Sequence, residues 1–182
     1  DVISLVPSCT LMLKFEWPLI VAVDDPDRDA VMALSGATRD ISEYIVDIAE
    51  NEGLAPGMSS VPGGVTLHLA CHARAQNMGP KAAQMLKFIP EIDVSVIERC
   101  SGHGGSWGIM DENFDTALKV GRPVARKALE AENAYVASEC PLAGKHVVQG
   151  MEMLDGGVAP ESGTTHPIEI MAQSYGHADR DD

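Results

Sequence analysis

Basic residues are scarce in this 182-residue chain: 13 Lys and Arg stand against 27 Asp and Glu, a formal net charge of −14 at pH 7. Neutralising phosphates requires clustered Lys and Arg, so the balance argues against nucleic acid as a partner. It disfavours an anionic membrane surface for the same reason. The acidic patches at Asp24–Asp29 and Asp179–Asp182 read as solvated faces. Long apolar runs are missing too. The densest, Leu19–Val23, ends at Asp24 and Asp25, far short of the roughly 20 residues a membrane helix needs. No signal-peptide pattern opens the chain. No Cys-x-x-Cys pair occurs, which is wrong for a zinc ribbon or finger. The chain begins with Asp, not Met, and its first residues read as a mid-sheet strand. We therefore expect residue 1 not to be the native start and a related region to lie upstream.

What is present is a globular composition, 45% hydrophobic, and four cysteines. Each follows a short apolar segment: Val2–Cys9, Val65–Cys71, Val94–Cys100 and Tyr135–Cys140. All four are read as strand ends preceding helices. Thiols in this setting point to metal or redox chemistry rather than a disulfide frame.

Beyond residue 60 the pattern predicts an α/β fold, a parallel sheet with helical crossovers and cysteines at the C-terminal strand ends. Strand Val65–Ala70 leads to helix Ala73–Phe88. Strand Ile92–Glu98 leads to the glycine-rich loop Ser101–Gly108 and helix Phe114–Glu130. Strand Ala134–Ala137 leads to helix Pro141–Leu154, then a loop, Asp155–His166, a closing helix, Pro167–Tyr175, and a polar tail, Gly176–Asp182. Before residue 60 the reading is a strand, Val2–Pro7, and a helix, Thr10–Val21, interrupted by Pro18. Helix Arg28–Leu34 follows, then Asp40–Asn51 capped by Thr38 and ended by Gly53. Ala55–Gly64 is the linker candidate. Leu5–Leu13 echoes Val136–Gly144 with Cys9 opposite Cys140, which suggests two related lobes. The division expected is 1–60, the end of a first lobe with connecting helices, and 61–182, a second lobe and tail.

Cys71, Cys100 and Cys140 form the strongest group, separated by 28 and 39 residues. Each gap holds one crossover and the next strand, so the three can converge on one edge. A nearby helix N-terminus favours thiolate at each. Gly102 and Gly104 let backbone approach a bound group and donate N–H to it. His103 is a candidate ligand or proton carrier, or simply a loop histidine. His72 and Arg74 orient the site or bind an anionic group. Trp107 and Met110 seal it. His68 reads as a packed strand histidine, and His146 as solvent-facing.

At these residues the chain resembles the cysteine-rich CCG domain of iron–sulfur proteins. That domain occurs in heterodisulfide reductase, in the glycolate oxidase iron–sulfur subunit, in lactate-utilisation proteins and in anaerobic glycerol-3-phosphate dehydrogenase. Its pattern is Cys, Cys-Cys-Gly and Cys-x-x-Cys, with gaps of roughly thirty to forty residues. Cys71 matches the first position. Cys100-Ser101-Gly102 matches the second with Ser101 replacing a cysteine, and Cys140–Ala143 the third with Ala143 replacing one. CHARAQNMG, ERCSGHGGSWG, SECPLAG and PSCTLMLKFEWP look most like the anaerobic glycerol-3-phosphate dehydrogenase branch.

The resemblance implies a cytoplasmic subunit of anaerobic respiration, an oxidoreductase component peripheral to the membrane through its partners. It would pass electrons from a flavoprotein dehydrogenase subunit toward quinone. It also implies an iron–sulfur cluster, of 4Fe–4S type, held by Cys71, Cys100 and Cys140, with His103 the nearest further ligand. Cys9 is a further cofactor-binding candidate, serving either this site across the lobe interface or, as the equivalent of Cys140, the other lobe. The partners implied are that flavoprotein and a membrane-anchoring or quinone-reactive subunit. A thiol–disulfide reductase with an open iron, and a zinc-binding module, are the competing expectations.

Overall fold

The computed structural model describes residues 1–154, 156–160 and 163–177. Within residue 65 onward, a four-stranded parallel sheet is built from β3 (Val65–His68), β4 (Val94–Ile97), β5 (Tyr135–Ser138) and β6 (Thr164–Thr165), ordered β4-β3-β5-β6. A smaller parallel pair precedes it, β1 (Val2–Ser4) and β2 (Thr38–Asp40). The α/β class and parallel crossovers expected from the sequence are borne out.

Helices cover both faces of the larger sheet. On one face, Val65 and Leu67 of β3 and Ala137 of β5 pack with α4 (Ile41–Asn51), α6 (Lys81–Leu86) and α9 (Pro167–Ser174). On the other, Ile97 and Val136 pack with α7 (Asp111–Glu130) and α8 (Pro141–Glu152). The split follows the two-residue period of a strand: Val136 faces one layer and Ala137 the other. All four residues of central β3 are buried, as a parallel strand covered on both faces must be.

Several elements depart from expectation for identifiable reasons. The helix expected over Ala73–Phe88 is two helices, α5 (Cys71–Ala75) and α6. Asn77 and Gly79 take positive φ, and Pro80 follows, so the backbone turns out of the helix there. Pro18 does not break its helix. The run is helical from Pro7 to Ile20, as α1 (Pro7–Leu11), a π-helical stretch Met12–Glu16, and α2 (Trp17–Ile20). The wider π turn lies just where a proline ring would otherwise crowd a preceding carbonyl. α3 (Arg28–Ala37) is one turn longer than expected.

Thr38 caps nothing. It is the first residue of β2, and its hydroxyl donates to the Leu34 carbonyl at 2.8 Å. Asp40 is the cap of α4, accepting Ser42 N–H, while Glu43 closes a capping box. β6 lies inside the segment expected to be loop. Residues 155, 161–162 and 178–182, covering part of that loop, most of the tail and the patch Asp179–Asp182, fall outside the described residues.

The internal echo is structural, with a different alignment. β1, through the helical run α1 to α3, and β5, through α8, each lead by way of a helix beginning with proline to a short parallel neighbour and then a helix with a capping box. Val2 pairs with Thr38 as Val136 pairs with Thr164. Pro7 and Pro141 both begin their helices. Asp40 and His166 are the two caps, with Glu43 and Glu169 closing the boxes. Counting from these anchors, Val6 is equivalent to Cys140, and Cys9 to Ala143. The expected pairing of Cys9 with Cys140 is therefore corrected. Cys9 is also not at a strand end: it lies inside α1, five residues beyond β1.

Candidate functional site at the strand ends

The register aligns three strand ends, each followed within three residues by a cysteine. His68, Ile97 and Ser138 are aligned across β3, β4 and β5. Cys71 and Cys100 each follow by three residues, and Cys140 by two. Neighbouring strands are about 4.8 Å apart, which separates the two outer strands by about 10 Å. Sulfurs on a single zinc ion sit only about 4 Å from one another at a Zn–S distance near 2.3 Å. Among the described residues, no group of three or more His, Cys, Asp or Glu is gathered to hold one metal ion. Soft thiolates are the ligands of iron–sulfur clusters as well as of zinc.

A hydrogen-bonded chain ties these strand ends together. His68 is buried, with Nε2 2.9 Å from the Arg99 carbonyl and Nδ1 3.1 Å from Ser138 Oγ. A carbonyl only accepts, so Nε2 carries the proton and Nδ1 accepts from the Ser138 hydroxyl. Ser138 Oγ in turn accepts the Cys140 N–H at 3.3 Å. Burial pushes the His68 pKa down, which holds it in this neutral form. The expected packed histidine thus joins the backbone beside Cys100 to the backbone of Cys140. Glu139 adds a second tie: its carboxylate accepts the Ala70 N–H at 2.9 Å.

Cys71, Cys100 and Cys9 are exposed, and Cys140 is half-buried. Desolvation against the sheet edge, then the Cys100 sulfur, raise the Cys71 pKa, while Arg74 acts the other way. The expected helix-terminus effect does not prevail at Cys71, where desolvation and then the Cys100 sulfur outweigh it. Cys100 is followed by a loop rather than a helix. Cys140 is the N-cap of α8. Cys9 rides on α1, which packs against α5.

The glycine loop is clamped to α7. Gly102 donates its N–H to Cys100 Sγ at 3.4 Å. A Cβ on Gly102 would collide with the Ala117 carbonyl, and one on Gly121 with the Ser101 carbonyl. Gly104, at φ +58°, lies over Trp107. Ser101 and Ala143 are both buried.

His103 is buried against His146, ring centroids 6.1 Å apart, and Phe114 meets the other ring edge-on. His146 is only 3% exposed, so the expected solvent-facing position is corrected: its side of α8 packs on α7. Trp107 and Met110 are substantially exposed. Arg74 pairs with Glu98 at 2.9 Å, and His72 is exposed.

Sequence reasoning missed an acidic and imidazole cluster behind the edge. Glu139 is 2% exposed, and burial pushes its pKa up to about 7. Burial also raises Asp40 and lowers His166. His166 Nδ1 accepts from Ile168 N–H, and Nε2 donates to the Leu5 carbonyl at 3.1 Å. Its signal was available in the repeated Thr-x-Asp/His-x-x-Glu spacing of 38–43 and 164–169.

No family model matches the chain. Among curated proteins it is similar to the subunit designated C of anaerobic glycerol-3-phosphate dehydrogenase from Escherichia coli K12, 25% identical over 175 residues, covering 95% of this chain and 40% of that protein. It is 30% identical over 115 residues to lactate utilization protein A of Oceanobacillus iheyensis, 61% of this chain and 46% of the relative. It is 25% identical over 175 residues to the subunit designated D of dihydromethanophenazine:CoB–CoM heterodisulfide reductase from Methanosarcina acetivorans, 92% of this chain and 39% of that one. The chain thus spans less than half the length of each.

Proposed function

We propose that this chain, a distant homologue of part of these CCG-domain iron–sulfur oxidoreductase subunits, carries an electron-relay centre at the ends of β3, β4 and β5. The observation that supports it is the register of β3, β4 and β5, whose aligned ends are each followed within three residues by Cys71, Cys100 or Cys140. In this reading the three thiols hold an iron–sulfur cluster of 4Fe–4S type. A bound cluster supplies reversible one-electron transfer; the chain's residues set its position and surroundings. His68 and Ser138 fix the spacing of the strand ends. Gly102 directs an N–H at one sulfur, an arrangement that tunes reduction potential. His103 is turned toward His146, so the three cysteines are the ligands we assign.

The wider system is proposed by the same homology. Electrons come from a flavoprotein dehydrogenase subunit acting on glycerol 3-phosphate, glycolate or lactate and leave toward quinone. A membrane-anchoring or quinone-reactive subunit completes the complex, placing the chain at the cytoplasmic face. Among the described residues no helix is long and apolar enough to cross a membrane. The unit 1–60 is the closing part of a first lobe, with Cys9 serving that lobe, and 61–182 is the second.

Iron and acid-labile sulfide measured after anaerobic purification test the reading. It predicts both, in comparable amounts; zinc alone, or no metal, overturns it. One observation favours a second reading. The Cys100 sulfur helps raise the Cys71 thiol, and a pair of neighbouring thiols suits thiol–disulfide exchange. That reading predicts turnover of a small disulfide, abolished by Cys71→Ser.

A further inference from the structure

Behind the strand ends two carboxyl groups are buried, Asp40 and Glu139, each 2% exposed. Asp40 stands where β2 passes into α4, and Glu139 between β5 and α8. Asp40 is near enough for its charge to act on Glu139. Among the described residues, neither carboxyl forms an ion pair with Lys or Arg. His166 is the one basic group acting on Asp40, and its ring is neutral: Nδ1 accepts the Ile168 N–H while Nε2 donates to the Leu5 carbonyl. Buried charges are ordinarily paired or bound to a metal ion.

A third oxygen belongs to the same cluster. Gln76, the C-cap residue of α5, is 4% exposed. Its Nε2 donates to the Pro7 carbonyl at 3.4 Å, and its Oε1 accepts from no described residue. The amide lies against Asp40, whose charged form it favours. Backbone N–H groups occupy part of each carboxylate, Ser42 at Asp40 and Ala70 at Glu139, both at 2.9 Å. A carboxylate offers about four lone-pair sites, so both keep acceptor capacity.

All three donors are oxygens, and two are charged. Hard divalent cations take such a set: Ca2+ in flexible all-oxygen geometry, Mg2+ on one or two carboxylates with its own waters. This is not a gathering of three His, Cys, Asp or Glu residues, since its third donor is an amide. Glu139 also lines a cavity of about 360 Å³ beside Leu69, Arg74 and Glu98, which gives an ion and its waters a way in. A proton neutralises one carboxyl; a cation meets both charges and the amide oxygen at once.

We propose that the Asp40 and Glu139 carboxylates and Gln76 Oε1 bind one hard divalent cation, which ties the start of α4 to the ends of β5 and α5. The site is separate from the cysteines, and it stands whether or not the strand ends carry a cluster.

Equilibrium dialysis of the full chain against CaCl2 or MgCl2 at pH 8, with ionic strength fixed by KCl, tests it. Soft thiolates do not select these ions, so the four cysteines stay out of the count. One saturable equivalent of either ion per chain is expected. Glu139→Gln and Gln76→Leu should each weaken it at least tenfold. Gln76→Glu, which supplies an oxygen at the same point, should retain it, and Glu50→Gln, in a separate hollow, should leave it unchanged. Circular dichroism checks the folding of each variant; if Gln76→Leu unfolds, Glu139→Gln still decides. No saturable uptake of either ion would mean that protons alone neutralise the carboxyls, and overturns the proposal. So does uptake indifferent to Glu139→Gln. Uptake lowered as much by Glu50→Gln overturns it too, being diffuse attraction to a chain of net charge −14.

Discussion

The His68 imidazole accepts the Ser138 hydroxyl proton across 3.1 Å while donating its own N–H to the Arg99 carbonyl. One side chain thus fixes the mutual position of β3, β4 and β5 immediately before all three cysteines. Ser138→Ala leaves Nδ1 of a buried ring without a donor. Such an orphan costs about 1–3 kcal/mol, so denaturant unfolding should show a loss of that size. In the relay reading the same variant should also broaden the electron paramagnetic resonance lines, because Cys140 loses the acceptor for its N–H. A stability unchanged within 0.5 kcal/mol, roughly the scatter of neutral substitutions, would contradict the network.

Glu139 makes stability depend on pH in a specific direction. Its pKa is raised to about 7 from an ordinary 4.5, with burial the largest cause. The folded state therefore holds a proton that the unfolded chain releases, and the stability this confers is complete below about pH 4.5 and lost as pH rises through 7. A shift of that size corresponds to about 3 kcal/mol. His68, His103 and His166 have lowered pKa values and act below pH 6.5 in the opposite sense. The clean observable is the difference between wild type and Glu139→Gln. The variant should gain on wild type between pH 5 and 8, read from urea midpoints at each pH. Parallel profiles would refute the assignment.

Gly121 lies where α7 meets the backbone of the glycine loop. A methyl group there strikes the Ser101 carbonyl, and neither partner is a flexible side-chain end. Gly121→Ala should therefore destabilise by about 1–3 kcal/mol, the cost of overpacking, despite alanine's better helix propensity. A stabilised variant would mean that loop and helix are not in contact.

Asp40 and His166 are equivalent caps in the repeated unit. Removing a cap costs about 0.5–2 kcal/mol. Asp40→Ala and His166→Ala should each lie in that range by urea unfolding. His166→Ala should lie toward its upper end, because its Nε2–H also holds the Leu5 carbonyl. No loss at either position would contradict the caps.

The repeated strand–helix order was legible because β3, β4 and β5 are apolar runs bounded by glycine, proline and cysteine. The short strands β2 and β6 were not. Thr38–Asp40 and Thr164–Thr165 are polar, and only their pairing with β1 and β5 makes them strands. The break between α5 and α6 is written in Asn77, Gly79 and Pro80, yet Ala82, Met85 and Leu86 beyond it keep a helical apolar spacing that a single helix would share. In the site, the cysteines and glycines stood out by spacing. His68, Ser138 and Glu139 did not, since their roles come from contacts between residues about 30 to 70 apart. The misplaced Cys9 has the same origin: Pro7 starts a helix two residues before it, so a match of strand letters ran past the strand.

The central claim is that Cys71, Cys100 and Cys140 hold one iron–sulfur cluster. Cys71→Ser, Cys100→Ser and Cys140→Ser, purified without oxygen and compared with Cys9→Ser, test it through iron content and the low-temperature electron paramagnetic resonance spectrum of the reduced protein. Each of the three should lose at least half its iron and alter the signal, while Cys9→Ser keeps both. Full iron and an unchanged signal in all three would contradict the account.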